Sequence, residues 1–209
     1  GGRTVEDFAG FVDLAPTILE AAGLPRHEPM SGRSLMPTLA SDKSGLIDPT
    51  RTEAFAGRER HSSSRYGNLG YPMRAIRTPE YLLIRNFHPD RWPAGDPHTT
   101  GSTKFAFHDI DASPTLDVLV ARRDDPAVKP QFEAAVAKRP PVELYDVRHD
   151  PANLTNLADD PSHAEARKRL EARLDEVLRA TGDPRAFGDG EVWETYPRFS
   201  PIRSFPTPE

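Results

Sequence analysis

The densest group of chemically useful side chains in this sequence is the run Gly57-Arg-Glu-Arg-His61. It follows a predicted strand and precedes the polar loop Ser62–Asn68, and a strand end that opens into such a loop is a common place for binding groups. The planar guanidinium groups of Arg58 and Arg60 suit the oxygens of a sulfate or a carboxylate. The imidazole of His61 can donate to a sugar hydroxyl or to a sulfate. The run is therefore a candidate for a substrate-binding site made by Arg58, Glu59, Arg60 and His61.

The same run has a simpler interpretation, in which it is a solvated charged turn. Glu59 would then pair with a neighbouring arginine, and an exposed pair of this kind contributes about 0–1 kcal/mol to stability. The physical chemistry of the residues alone favours this turn. The binding interpretation is favoured only when the family resemblance described below is taken into account.

Three other polar groups resemble sites, and a structural role is favoured for each. Arg74 can reach an anion, but it begins a predicted strand. Trp92 offers an aromatic face for the apolar side of a sugar, although a tryptophan that holds a proline-rich loop is more common. The run His108-Asp-Ile-Asp111 invites a metal, but calcium takes six to eight oxygens and two nearby carboxylates do not make such a cage.

The elements that must position these residues are a small sheet and one long helix. Arg74-Ala-Ile-Arg-Thr and Tyr81-Leu-Leu-Ile-Arg-Asn predict a hairpin with Thr78-Pro-Glu at its turn, and Val142–Val147 predicts another strand. A helix is predicted from about Pro161 to Ala180, because Asp160 can cap it and Gly182 follows its end. Its apolar stripe should cover one face of the sheet, and the stripe consists of Leu170, Leu174, Val177 and Leu178.

Two short helices are predicted upstream of the sheet. One begins at Asp13 as its cap and presents an apolar face made by Leu14, Ile18, Leu19 and Ala22. The other begins at Ser34. Both are too short to be stable alone, so we expect them to pack on a larger body.

Composition excludes several functional classes. The formal charge of −5, from 27 basic and 32 acidic residues, argues against a nucleic-acid partner. No apolar run approaches the roughly 18 residues that a membrane span needs, so no membrane partner is expected. The absence of cysteine excludes a disulfide framework and a thiolate zinc site, but it leaves the cellular compartment open.

Three blocks, taken in order, resemble the C-terminal third of a sulfatase, closest to the heparan N-sulfatase (sulfamidase) branch of the alkaline-phosphatase-like superfamily. They are Phe11-Val-Asp-Leu-Ala-Pro-Thr-Ile-Leu-Glu-Ala-Ala-Gly-Leu24, Gly70-Tyr-Pro-Met-Arg-Ala-Ile-Arg-Thr-Pro-Glu-Tyr-Leu-Leu-Ile-Arg-Asn-Phe87, and Glu143-Leu-Tyr-Asp-Val-Arg-His-Asp-Pro-Ala-Asn-Leu-Thr-Asn-Leu157. The resemblance covers most of residues 3–183, and its strength lies in the order and spacing of the blocks.

The resemblance implies an α+β fold in which a small antiparallel sheet is covered by a C-terminal helix. The short helices before it would pack on a missing α/β sulfatase domain. Residues 1–48 would be the trailing segment of that domain, 49–183 the C-terminal subdomain, and 184–209 an irregular tail. In sulfamidase-like enzymes the loop that corresponds to residues 57–61 borders the substrate pocket, and Glu59 and His61 take the places of its carboxylate and histidine.

The resemblance also implies where the chemistry lies. Sulfatases use a formylglycine made from the first residue of a Cys/Ser-x-Pro-x-Arg motif, together with a calcium ion. This chain has no cysteine and no such motif, so the nucleophile and the calcium are expected in the missing N-terminal domain. We therefore expect no catalytic residue, metal or cofactor here, and no activity of the chain alone. A sulfated carbohydrate or another sulfate ester would be the substrate of the intact protein.

Two other functions remain open at this point. One is a stand-alone, non-catalytic module that binds sulfated sugars, although exposed apolar helix faces argue against independence. The chain also fits a related phosphodiesterase or phosphonate hydrolase, because the residues that discriminate these classes from sulfatases lie upstream. The upstream coding sequence would distinguish the alternatives.

Overall fold

The computed structural model describes residues 2–100, 106–188 and 190–208. It confirms the predicted α+β class. The strands are β1 (Ala54–Arg58), β2 (Met73–Arg77), β3 (Tyr81–Asn86) and β4 (Val142–Asp146). The α-helices are α1 (Leu14–Ala21), α2 (Met36–Ala40), α3 (Pro114–Ala121), α4 (Lys129–Val136) and α5 (Ala164–Ala180).

The four strands form an antiparallel sheet in the order β1-β2-β3-β4. The predicted turn of the β2–β3 hairpin is present, since Thr78 N–H donates to the Tyr81 carbonyl at 2.8 Å. The run Thr52-Glu-Ala-Phe-Ala predicts a strand that begins at Thr52, but β1 begins two residues later, because Arg51 is held in a turn in which its N–H donates to the Asp48 carbonyl. As a result, Arg58 is the last residue of the strand and not part of the loop.

The chain divides into two compact units. The first contains the first 56 residues together with Ile76–Leu82 and Tyr145–Thr155, and the second contains Gly57–Ala75, Leu83–Leu144 and the chain from Asn156 onward. The predicted boundaries after residues 48 and 183 remain predictions.

The core of the second unit depends on α5. The Asp160 side chain accepts from Ser162 N–H, and a 3-10 turn over Pro161–His163 leads into the helix. Leu170, Leu174 and Leu178 are 1–7% exposed, which confirms the predicted stripe. Arg85 of β3 forms an ion pair with Asp175 of α5, and the two residues thereby connect the helix to the sheet.

A second cluster in this unit holds the proline-rich loop after β3. Ala94, Phe107 and Val136 are buried together, and the Trp92 ring meets the Phe107 ring edge-on with 6.4 Å between centroids. The loop is thus packed on this unit through Trp92 and Ala94. Trp92 itself is only partly buried.

In the first unit, Asp13 precedes α1 but does not cap it with its side chain. Its carboxylate instead accepts from the N–H groups of Gly10 and Arg33, at 3.1 and 2.7 Å, and from Arg51 Nη1 at 2.8 Å. The predicted cap is therefore wrong, because the Asp13 carboxylate pairs with Arg51 and does not accept from an N–H group of α1. A Cβ at Gly32 would lie 1.9 Å from the Val12 carbonyl oxygen, so only glycine permits this approach.

The apolar face of α1 is exposed, together with the turn before it. Phe11 is 93% exposed and Ile18 is 66% exposed, and Val12 and Leu14 are exposed as well. Leu39 of α2 is also exposed. Among the described residues, no helix is both long and apolar enough to cross a membrane.

We expect Leu174→Ala to lower the free energy of unfolding by about 2–5 kcal/mol, because Leu174 is 1% exposed and its truncation leaves a cavity. Urea denaturation followed by circular dichroism measures this change. Leu154→Ala is the matched control, since Leu154 is 77% exposed and should change stability by less than about 0.5 kcal/mol. Equal effects of the two variants would contradict the assignment of the core.

We expect Asp13→Asn to destabilise the chain by about 3 kcal/mol at neutral pH, because it leaves the buried Arg51 cation without its carboxylate. Burial raises the pKa of Asp13, but the hydrogen bonds from Gly10, Arg33 and Arg51 outweigh it and the pKa lies below 3.8. The carboxylate therefore stabilises the fold above that pH, and this contribution is lost as the pH falls through the lowered pKa.

The free energy of unfolding of the unmodified protein and of the Asp13→Asn variant is measured between neutral and acidic pH. The difference should be largest near neutrality and should shrink below pH 3.8. The exposed Asp42→Asn variant serves as the control. A difference that does not vary with pH would contradict a role for the Asp13 charge.

Candidate functional site

Glu59 lies directly after β1 and is bound by two arginines. Its Oε1 accepts from Arg74 Nη2 at 2.7 Å, and its Oε2 accepts from Arg185 Nη2 at 2.8 Å. Asp183 binds the other side of Arg74, with 2.6 Å between Oδ2 and Nε. Burial lowers the pKa of Arg74 and of Arg185, but the carboxylates around them outweigh it and raise both values. Glu59 thus lies between two arginines in a chain of alternating charges that runs from Asp183 through Arg74 and Glu59 to Arg185.

Arg58 packs beneath the loop. Its Nη2 donates to the Pro93 carbonyl at 3.0 Å, and its guanidinium carbon lies 5.2 Å from the centroid of the Tyr71 ring. Burial lowers the pKa of Arg58, and the charge of Arg65 lowers it further. The Nε of Arg58 is buried and has no hydrogen-bond partner among the described residues.

Arg60 points toward the C-terminal segment. Its Nη2 donates to the Tyr196 carbonyl at 2.7 Å, and its side chain is partly exposed. The two arginines of the run therefore both bind backbone carbonyls, and they do so in different segments of the second unit.

His61 is the exposed member of the run. Its side chain is 64% exposed, and its Nδ1 lies 3.4 Å from Oδ1 of Asp109, whose own side chain is 2% exposed. Asp109 accepts from Ser62 Oγ and Ser64 Oγ at 2.9 Å each, and from Arg65 Nη2 at 2.5 Å. Burial raises the pKa of Asp109, but the charge of Arg65 and these hydrogen bonds outweigh it and lower the value. An ionised, buried carboxylate thus faces one nitrogen of an exposed imidazole.

Arg65 completes the base of the loop. It is 2% exposed, and it donates from Nε to the Trp92 carbonyl at 2.7 Å and from Nη2 to the Pro93 carbonyl at 2.8 Å. Its guanidinium carbon lies 5.6 Å from the Tyr71 ring centroid. Burial is the main cause that raises the pKa of the Tyr71 phenol to about 12. Arg65 therefore fixes the loop on the segment that carries Trp92.

Sequence analysis missed the roles of Arg65, Asp183 and Arg185, and it considered Asp109 only as a metal ligand. Asp109 is bound by Arg65, and Asp111 is exposed. Within the described ranges, no group of three or more His, Asp or Glu side chains is placed to hold a metal ion. Arg74 has the structural role predicted for it.

The chain is similar to curated sulfatases over most of its length. It is 24% identical over 182 residues to an ulvan-active sulfatase of Formosa agariphila, covering 87% of this chain and 31% of that protein. It is 26% identical over 197 residues to human N-sulphoglucosamine sulphohydrolase, covering 88% of this chain and 34% of that protein. No protein-family model matches the chain.

Solved structures give matches with TM-scores just below 0.5. BT4656, solved in complex with its substrate D-glucosamine-2-N,6-O-disulfate, has a TM-score of 0.49 and 20% identity, and the match covers 82% of this chain and 24% of that one. A putative sulfatase from Bacteroides thetaiotaomicron has a TM-score of 0.47 and 20% identity, with 83% and 25% of the two chains covered.

The curated relatives confirm the resemblance that the three sequence blocks indicate. Their names describe sulfatases that act on ulvan or on N-sulphoglucosamine. This chain is accordingly related to the sulfatases, and it spans about a third of the length of the curated relatives that it matches.

Proposed function

We propose that this chain forms one wall of the substrate pocket of a sulfatase that hydrolyses a sulfate ester or sulfamate of a sulfated carbohydrate. The observation that carries the proposal is the fixed presentation of His61. The loop is held on one side by the ion pairs of Glu59 and on the other by the pair of Arg65 with Asp109. Between these two anchors the imidazole is left exposed. A loop fixed in this way presents one group with little loss of conformational freedom on binding.

The relatives support the assignment of the remaining chemistry to another part of the protein. The curated sulfatases are about three times as long as the matched region. The nucleophile and the calcium ion implied by the resemblance would lie in that additional length, where the calcium would supply positive charge to the sulfate. In this chain, Asp109 is occupied by Arg65 and two serines, so it is not available as a metal ligand.

The apolar face around α1 supports a large partner for this chain. Phe11, Val12, Leu14 and Ile18 are all exposed, and they lie in the turn before α1 and in the first half of that helix. A stand-alone sugar-binding module would expose this face to water, which is unfavourable for a soluble domain. We propose that the α/β sulfatase domain of the same protein covers it.

The geometry also determines which hydrogen bonds His61 can form with a ligand. Because the ionised Asp109 accepts hydrogen bonds only, the neutral imidazole should carry its proton on Nδ1. The outer nitrogen, Nε2, is then an acceptor. Neutral His61 would therefore accept from a sugar hydroxyl, and it would donate from Nε2 only when it is protonated.

This assignment predicts the tautomer of His61 in the 209-residue protein. At about pH 8.5, above the normal titration range of imidazole, the ¹⁵N shifts of His61 should show a protonated Nδ1 and an unprotonated Nε2. His27 is the internal control, because it has no hydrogen bond to its ring among the described residues. Its ring should therefore show no tautomer fixed by a protein partner. A proton on Nε2 of His61 would contradict the role assigned to Asp109.

Kinetics of the full-length enzyme test the proposed function. A contact with the sugar is present in both the ground state and the transition state, so its loss raises KM and changes kcat little. His61→Ala should lower kcat/KM for the sulfated saccharide about two- to tenfold, which corresponds to a hydrogen bond between the neutral imidazole and a sugar hydroxyl. A small aryl sulfate that does not reach the loop should be hydrolysed normally.

The control for these kinetics is His27→Ala, which removes an exposed histidine outside the loop. This variant should change kcat/KM for neither the sulfated saccharide nor the aryl sulfate. Unchanged saccharide kinetics in His61→Ala, or an equal loss with both substrates, would refute the assignment of this loop to the pocket wall.

A further inference from the structure

The C-terminal segment of the second unit contacts the loop that carries His61. We call residues 197–208 the strap. They contain neither helix nor strand, and four of them are prolines. Most of the strap is exposed, with Phe199 97% and Ile202 57% exposed. A segment with few buried contacts belongs to the least stable parts of a fold. The strap can therefore detach while the rest of the unit stays folded.

The strap is attached at Arg203, Ser204 and Phe205. The Arg203 N–H donates to Ser63 Oγ at 2.9 Å, and Arg203 Nη1 donates to the Ser63 carbonyl at 2.8 Å. The Thr100 N–H donates to the Ser204 carbonyl at 2.8 Å. Phe205 is only 6% exposed. Because Ser63 belongs to the histidine-bearing loop, the strap supports that loop at a further point.

His108 lies against the end of the strap. The ring centroids of His108 and Phe205 are 6.2 Å apart, and the rings meet edge-on at 70°. Among the described residues, the charged groups that act on the imidazole are Arg203 of the strap and Asp109, its neighbour in sequence. The Asp109 carboxylate is already paired with Arg65. A proton on His108 therefore places a second cation beside Arg203 and against an apolar ring.

The pKa of His108 reflects these surroundings. Burial lowers the pKa below the normal 6.5, and the charge of Arg203 lowers it further, whereas Asp109 raises it. When the strap detaches, the imidazole gains water and loses Arg203, so its pKa returns towards 6.5. The detached state thus binds the proton more tightly. Attachment is complete above 6.5 and weakens as the pH falls from there through the lowered pKa.

The segment before the strap is held by charges that do not change in this range. Glu194 accepts from Arg91 Nη1 at 2.6 Å and from the Gly70 N–H at 3.0 Å. Glu191 accepts from Arg185 Nη1 at 2.8 Å. Arginine and glutamate keep their charges between about pH 5 and 8. Acidification therefore acts on the strap and leaves the segment before it in place.

We propose that the strap is a pH-dependent support of the histidine-bearing loop, and that protonation of His108 releases it. At neutral pH, Arg203 and Phe205 hold the strap on Ser63 and His108. In acid the strap detaches, and the hydroxyl and carbonyl of Ser63 become accessible to water. The loop then keeps only its two other supports. This device consists of the chain's own residues and goes beyond the function of a pocket wall.

Backbone ¹⁵N relaxation of the 209-residue protein measures the strap directly. The order parameters of residues 203–205 should be about 0.85 at about pH 7.5, as in rigid backbone, and below about 0.6 at about pH 5. Those of Gly190–Thr195 should stay high at both pH values. Equal order parameters of residues 203–205 at the two pH values would overturn the proposal.

Two histidine variants test the trigger. His108→Phe keeps an aromatic ring against Phe205 but cannot take up a proton, so the strap should stay ordered at about pH 5. His88→Gln is the matched control, because His88 lies 2.9 Å from Glu191 in the segment before the strap. The strap should still be released in that variant. Release in His108→Phe, or retention in His88→Gln, would refute the role of His108.

The same linkage can be measured from the strap, should His108→Phe fail to fold. Arg203→Ala removes the positive charge beside His108, and Phe205→Ala removes the ring that covers it. Each variant should shift the pKa of His108 upward, towards 6.5, in an NMR titration of its ring. A pKa that is unchanged in both variants would show that the strap and His108 are not coupled, contrary to the proposal.

His61→Ala tests whether the exposed histidine of the loop is the trigger instead. The strap should still detach in acid in this variant, and loss of the response would overturn the assignment to His108. The order parameters of the strap do not depend on any substrate. Failure of the strap and failure of the pocket-wall assignment can therefore be told apart.

Discussion

The fold of the second unit around the candidate loop depends on one network of charges. Arg74 of β2 lies between the carboxylates of Glu59 and Asp183, and Glu59 in turn binds Arg185. These groups are largely buried, so each needs its partner to offset the cost of leaving water. The network fixes the residue that follows β1 against the segment that follows α5. The direction in which the loop leaves the sheet is set by these pairs.

A second charge pair performs the same function at the far side of the loop. Arg65 and Asp109 are both 2% exposed, and the serines around Asp109 fill its remaining acceptor positions. The result is a loop with two rigid supports and one exposed imidazole. Arg58 and Arg60, which look in the sequence like anion ligands, bind backbone carbonyls and strengthen these supports.

Local patterns in the sequence predict most of the secondary structure. The hairpin, the Val142 strand and the leucine stripe of α5 follow from alternation, turn residues and helical spacing, and the structure confirms them. The start of β1 and the role of Asp13 differ from the prediction. Both depend on Arg51, whose partner Asp13 lies 38 residues away and leaves no local signal.

The sequence identifies the charged residues of the candidate loop but not the partners that hold the loop in place. The pairing of Glu59 with an arginine was the alternative interpretation of its run, but the sequence cannot identify Arg74 and Arg185 as the partners. Arg65 and Asp109 are separated by 44 residues, and neither belongs to a recognisable motif. Long-range pairs of this kind are decided by the whole fold, so a single sequence does not reveal them.

The distance along the chain between Glu59 and Arg185 also has a consequence for biosynthesis. These residues are 126 positions apart, and Asp183 is 109 positions from Arg74. During translation, the strands and the loop emerge from the ribosome long before their charged partners do. Glu59 and Arg74 can meet early, but the loop acquires its final support only after α5 has been made. The order of synthesis thus leaves the support at Glu59 incomplete until Arg185 has emerged, whereas the Arg65–Asp109 support can form earlier.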